Sequence, residues 1–317
     1  MRRLLNILVV MILLAGLLVG CSSNKEQSQP QSPSNQNQQA TTYPLTIVDD
    51  TKTNVTIQAK PQRIVSLLPS STEILCALGQ ERNLIAVSQW DNYPTDIQKK
   101  VEFVFADSLN PNLEQLINLK PDLIMFWQTS QVSIDKIRAL GIPVVVLDSQ
   151  SIAQTYEAIE KVGQITDSTQ QASRLIAQMK AKEEEIQAKL AQLSPQRKSK
   201  VWLEVDSQLY TAGSGTFLNK IITKAGGQNI AKDIQGWGQF NSEQVIEQNP
   251  EIIIVTYSYV DKDAIQKIKT RKGWQNIEAV KNDQVIDIDN DIISRPGPRI
   301  IDGLELMAQA IYPELFK

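Results

Sequence analysis

No histidine occurs in this chain of 317 residues. That excludes a Ser-His-Asp triad and capture of zinc or manganese through imidazole, and it removes the commonest general base of enzymes. Cysteine is nearly absent as well, with only Cys21 and Cys76. Cys76 lies in the apolar run ILCALG and reads as a small buried hydrophobe, so the fold is expected to need no disulfide. There is no excess of positive charge: Lys plus Arg number 32 against 35 Asp plus Glu. No basic patch of the kind that suggests nucleic acid stands out. Glycine-rich phosphate motifs are incomplete. Gly213-Ser214-Gly215 precedes a helical pattern, yet it lacks the third glycine of a dinucleotide fingerprint and the lysine of a P-loop. A tight turn is the better reading, and an anion held at a helix N-terminus is the other. From Ser22 to Thr42 almost nothing apolar is found, which predicts a disordered tether reaching roughly 25 Å on average.

The segment before that tether is distinctive. Met1-Arg2-Arg3 is a positive n-region, and Leu4 to Val19 is an apolar stretch a little short for a membrane span. It ends in Leu18-Val19-Gly20-Cys21, which resembles the lipobox of bacterial lipoproteins, with residues 1–21 as signal segment and Cys21 lipidated. An uncleaved anchor is the alternative. Cleavage would remove Arg2 and Arg3 and leave 30 basic against 35 acidic residues, net −5.

One pattern is written twice, about 130 residues apart: NLEQLINLKPDLIMFW from Asn112 to Trp127, and NSEQVIEQNPEIIIVT from Asn241 to Thr256. Asn112 and Asn241 are N-cap candidates, each with a glutamine three residues on as capping-box partner. A short helix comes next, stopped by Pro121 or Pro250, and then an apolar run that reads as a strand buried on both faces. The duplication predicts two similar α/β lobes. Each copy also carries a carboxylate in its first helical turn, Glu114 or Glu243, where it favours the helix dipole by about 0.3–1 kcal/mol.

Around the repeats the chain reads as alternating strands and helices. Tyr43 to Ile57 suggests a hairpin. Strands are expected at 63–67, 84–88 and 144–148, with helices starting at Pro69 and spanning 133–140. Asp167 to Leu193 is a single helical pattern with no Gly or Pro inside, ended by Pro195, and falls between the halves as a strut of roughly 38 Å. The second half has strands at 201–205 and 284–288 and helices at 216–225, 262–269 and roughly 299–311. Pro298 is placed in the first turn of that last helix. Ile234 to Phe240 is read as a loop.

Trp90, Trp127 and Trp237 fall at strand ends or in loops, where open α/β sheets bind their ligands. Together they would line a cleft with flat faces suited to a large planar or apolar molecule. Core packing is the alternative for each of them, and the preferred reading for Trp202 and Trp274. Tyr210 comes after the strand 201–205 and joins the candidates. Asp291 and Arg295, in the last loop, read either as polar contacts to a ligand or as a surface ion pair worth under about 1 kcal/mol.

Taken together, Arg63 to Leu67 with Pro69-Ser70-Ser71-Thr72-Glu73, Asp91-Asn92-Tyr93-Pro94, the two repeats, AGGQNI at 225–230 and Arg295 to Arg299 carry a resemblance. From Tyr43 to Lys317 the chain resembles the substrate-binding proteins of ABC importers for iron-siderophores, haem and cobalamin, most closely the cobalamin-binding branch. The resemblance implies an α/β fold of two Rossmann-like lobes joined by one long rigid helix, with lobes at 43–166 and 195–317 and the joining helix at 167–194. It implies a ligand site of Pro69, Ser70, Trp90, Trp127, Tyr210, Trp237, Asp291 and Arg295, no catalytic residues and no resident cofactor or metal. Ser108 departs from that branch, which can carry a further tryptophan there. The resemblance assigns Glu114 and Glu243 to docking on arginine pockets of the two permease subunits, and implies as partners the permease dimer with its ATPase subunits. The implied molecule is a monomeric, lipid-anchored, extracytoplasmic binding protein for a corrinoid, with a ferric siderophore or haem as alternative ligands. A two-lobed enzyme such as a glycosyltransferase is the rival class.

Overall fold

The two copies of the repeated sequence form the same pair of elements. A computed structural model describes residues 40–128, 131–194 and 198–317. The expected signal segment with Cys21, most of the tether and Pro195 lie outside those residues. In the first copy the helix Leu113–Leu119 starts at Asn112, whose side chain accepts from the Gln115 N–H. In the second, Ser242–Gln248 starts at Asn241 and closes the full reciprocal capping box with Gln244. Both helices end on a left-handed residue just before the proline, Lys120 at φ 48° and Asn249 at φ 48°. The proline ring disfavours the right-handed helical conformation in the residue before it, so the helix cannot run on.

The next strands, β6 (Leu123–Trp127) and β12 (Ile252–Val255), are the pivots of two parallel sheets. β6 lies between β3 (Ile64–Ser66) and β7 (Val144–Leu147), and β4 (Leu84–Ser88) and β5 (Phe103–Phe105) extend the sheet as β5-β4-β3-β6-β7. β12 lies between β8 (Lys200–Glu204) and β13 (Val285–Asp287), and β10 (Gln228–Asn229) completes β10-β8-β12-β13. The continuous apolar runs suit strands in these places, because helices cover both faces of a parallel sheet. Isoleucines 253 and 254 of β12, like Ile124 and Met125 of β6, have no exposed surface. The chain is thus an α/β protein of two similar lobes, and its described residues belong to one compact unit. In each sheet the strand order reverses beside the pivot, between β3 and β6 and between β8 and β12, and such a point opens a crevice at the strands' carboxyl ends.

The expected hairpin is β1 (Leu45–Val48) paired antiparallel with β2 (Asn54–Ile57). It is fastened to the edge strand β7 by carboxylates: Asp49 accepts from the Val146 N–H and Asp50 from the Asp148 N–H. Arg138 pairs with Asp49, which is buried.

The long helix spans Thr169–Leu190, shorter than the pattern from 167 to 193 suggested, because Asp167 is left-handed at φ 52° and Ser168 is the N-cap. Its 22 residues cover about 33 Å. A second helix, Ile152–Ile165, packs against it and was not foreseen from sequence. Gly163 interrupts that helix's pattern with a poor helix former. Its missing side chain is what lets the pair meet, since a Cβ there would lie 2.6 Å from the Ala172 Cβ. Gly163→Ala is therefore expected to destabilise the protein by about 1–3 kcal/mol in urea unfolding, against its helix propensity. Two further expectations are corrected. The segment read as a loop at 234–240 contains β11 (Trp237–Gln239), paired antiparallel with β9 (Tyr210–Ala212). The last helix is Ile300–Ile311 with Arg299 at its N-cap, so Pro298 precedes the cap instead of lying in the first turn. Trp202 and Trp274 are core residues with no exposed surface, their ring N–H groups bonded to Glu204 and Ser242.

Candidate functional site

Between the lobes lies a cavity of about 710 Å³. The first lobe lines it with residues at the carboxyl ends of its strands: Pro69 and Ser70 after β3, Trp90 after β4, Trp127 at the end of β6 and Asp148 after β7. The second lobe supplies Phe217 at a helix start, Trp237 on β11, and Ser294 to Pro296. Trp90, Trp127 and Trp237 are 58 %, 45 % and 58 % exposed, so the packing alternative fails for all three. Three large rings left open to one cavity are surface a ligand would cover. Ser108 and Leu109 also face it.

The Trp90 loop is tied down from below. Buried Asp91 accepts from the Ser88 N–H and hydroxyl, and the Trp90 N–H donates to the Ser88 hydroxyl. Burial pushes the Asp91 carboxyl above the ordinary aspartate range. From the other lobe, Arg295 donates to the Trp90 carbonyl at 2.9 Å and to Asn92 Oδ1 at 2.7 Å.

Asp291 and Arg295 are more than a surface pair. Arg295 lines the cavity, but its guanidinium is committed to Trp90 and Asn92, to Asp291 at 2.8 Å and to Glu73 at 3.4 Å. Arg299 completes the network, donating to both Glu73 oxygens at 2.9 and 2.6 Å, and its guanidinium stacks over Tyr93. Asn92 also donates to Asp291 at 2.7 Å. Asp291 lies not in a loop, as read from sequence, but in the short helix Asn290–Ser294 with Arg295 at its C-cap, and this end of the second lobe is thereby bonded to the first. Asp291 itself faces a second cavity of about 850 Å³ that shares Pro69, Trp90, Ser294 and Arg295 with the first. Tyr210 is not brought to the wall of either cavity. It sits on β9 opposite Gln239, two positions along the ribbon from Trp237. Sequence reasoning missed Asp148, Phe217 and Gln235 on the wall. For Asp148 the signal was present, since it ends the apolar run VVVLD as Trp127 ends its own.

Glu114 and Glu243 are exposed, away from both cavities, one in each lobe at equivalent positions. Neither has an ion-pair partner among the described residues. No group of three or more acidic or cysteine side chains that could hold a metal ion occurs among the described residues. Nor is any helix among them long and apolar enough to cross a membrane.

Comparison with known proteins gives consistent results. The profile of the periplasmic binding protein family matches residues 64–292. An uncharacterized ABC transporter substrate-binding lipoprotein of Bacillus subtilis (strain 168), YvrC, is 36 % identical over 324 aligned positions that cover 100 % of both chains. A vitamin B12-binding protein of Pectobacterium atrosepticum is 33 % identical over 81 % of this chain and 89 % of its own. A possible iron-binding (periplasmic solute-binding) protein from Staphylococcus epidermidis superposes with a TM-score of 0.70 at 38 % identity, over 80 % of this chain and 100 % of its own.

Proposed function

This chain belongs to the periplasmic binding protein family as a substrate-binding component of an ABC transporter, and from that premise we propose that it captures a corrinoid such as cobalamin in the interlobe cleft and delivers it to the permease. The observation that carries this reading is the convergence of Trp90, Trp127 and Trp237 on one cavity. A corrin ring is large, flat and fringed with neutral amides, and stacking against indoles suits it. Haem in that cavity would need an axial ligand, and among the described residues lining it there is no tyrosine, methionine or cysteine. A 33 % identical relative is a vitamin B12-binding protein, which supports the corrinoid, while the 38 % identical Staphylococcus epidermidis protein, described as a possible iron-binding protein, keeps a ferric siderophore as the second reading.

In this reading Pro69, Ser70 and the three tryptophans contact the ligand, and Asp291 and Arg295 hold the lobes around it. Tyr210 has no place at the cavity. Lipidation of Cys21 anchors the mature protein outside the cell membrane, and Glu114 and Glu243 dock the two lobes on the permease. No turnover of the ligand is expected, in contrast to a two-lobed enzyme.

Cyanocobalamin titrated into the protein is expected to quench tryptophan fluorescence at one-to-one stoichiometry. The visible spectrum should stay base-on, because the chain has no histidine to displace the nucleotide base. Trp90→Ala is expected to weaken binding by about 30-fold, the effect of losing a buried aromatic anchor. Absence of quenching at micromolar ligand sinks the corrinoid assignment.

A further inference from the structure

Asp148 is the one charged group on the wall of the first cavity that no opposite charge neutralises among the described residues. We infer that Asp148 sets the specificity of the cleft, orienting Trp127 through one carboxylate oxygen and offering the other to a hydrogen-bond donor on a neutral or cationic ligand. This rests on the reading of the cleft as the ligand site and adds the charge class of what enters it.

The geometry is direct. Asp148 Oδ1 accepts from the Trp127 ring N–H at 3.2 Å and from the Gln150 amide at 2.7 Å. Oδ2 has no partner among the described residues. A carboxylate oxygen open to the cavity beside an exposed indole can exchange water for a donor on a ligand, and charge-assisted hydrogen bonds are about twice as strong as neutral ones. The only basic residue among the described residues of that wall is Arg295, and its charge is answered by Glu73 and Asp291. An anionic ligand would therefore meet an unpaired negative charge and no free positive one, an arrangement that rejects it. Primary amides and ammonium groups would instead meet an acceptor next to an aromatic face.

The backbone at this position does not depend on the side chain. The Asp148 N–H donates to Asp50 Oδ2 at 2.7 Å, and Asp50 is held by Lys161 at 2.8 Å. Substitutions of Asp148 should leave the fold in place, which the urea midpoint of each variant checks. Asp148→Asn keeps an acceptor for Trp127 but turns a donor toward the ligand, whereas Asp148→Ala releases the indole.

The test measures binding of three probes of different charge to the wild type, Asp148→Asn and Asp148→Ala: cyanocobalamin, the cationic ferric hydroxamate ferrioxamine B, and an anionic ferric tris-catecholate. The wild type is expected to bind a neutral or cationic probe and to reject the catecholate. Asp148→Asn should weaken the bound probe about tenfold or more. Asp148→Ala should also shift the tryptophan emission of the ligand-free protein, a readout that Asp148→Asn leaves near wild type. Ferrioxamine B binding without cyanocobalamin binding, with the same loss in Asp148→Asn, would uphold the role of Asp148 and overturn the corrinoid reading. Cyanocobalamin bound equally by all three proteins would overturn the role of Asp148 and leave the corrinoid reading standing. Catecholate binding to the wild type would overturn the charge preference outright.

Discussion

Uptake of the ligand is expected to be lost when Glu114 and Glu243 are both replaced by alanine, while its affinity for the isolated protein is expected to stay at the wild-type value. The two carboxylates lie in the first turns of helices that the duplicated sequence builds alike, Leu113–Leu119 and Ser242–Gln248. Both are exposed and without ion-pair partners among the described residues, so the fold needs them only for about 0.3–1 kcal/mol each of helix-dipole energy. One carboxylate per lobe suits a pair of cationic pockets, one on each subunit of a dimeric permease. Truncating a hydrogen-bonded charge at such a contact costs about 2–5 kcal/mol, and two losses together leave no productive complex. Each single variant retains one contact and should transport at reduced rate. Cells that depend on cyanocobalamin for growth report uptake, and fluorescence titration reports affinity. A double variant that transports normally, or one whose ligand affinity falls, contradicts the assignment.

Glu73→Ala is expected to lower the unfolding free energy by about 3–5 kcal/mol, the usual result of removing one partner from a buried charge network. The Glu73 side chain is 1 % exposed and lies between Arg295 and Arg299 of the other lobe, which are 12 % and 18 % exposed. Its hydrogen bonds to Arg299 hold that guanidinium above the ordinary arginine range. Without Glu73, Arg295 keeps its ion pair with Asp291 while Arg299 is left with no ion-pair partner among the described residues. Glu73→Gln keeps the shape and one acceptor, and should cost less. The effect extends to the ligand, because Arg295 also carries the Trp90 carbonyl and Asn92. Ligand affinity should therefore drop in Glu73→Ala although Glu73 does not line the cavity. Urea unfolding and cyanocobalamin titration of the same variant measure both, and an unchanged midpoint would show that the network is solvent-compensated.

Much of the site was legible because it sits where strands end. Trp90 and Trp127 come after apolar runs, and the carboxyl ends of parallel strands are where a sheet of reversed order opens. Asp148 obeys the same rule and could have been found by it, but a single aspartate after a strand is not distinguishable from a turn residue until its neighbours are known. Tyr210 stands off the walls of both cavities for a related reason. The ribbon of β9 and β11 is short and paired outside the main sheets, and nothing in LYTAG or QGWGQ reveals which face points to the other lobe. The helix Ile152–Ile165 was hidden by a glycine whose purpose is a close approach to Ala172, a tertiary fact.

Local physics determined the elements: hydrophobic period, capping asparagines and helix-stopping prolines specify a strand or helix within its own window, and the repeat made the second lobe predictable from the first. The absence of histidine and the charge balance also belong to the sequence alone. What only the tertiary structure decided is which groups meet across the cleft. The bonds from Arg295 and Arg299 to Glu73 span 222 and 226 residues of chain. A contact of that separation depends on how two finished lobes face each other, and no local pattern encodes it. The same holds for the cavity's charge, since the pairing of Arg295 with Asp291 was within reach of the sequence, whereas its second partner, Glu73, came only with the fold.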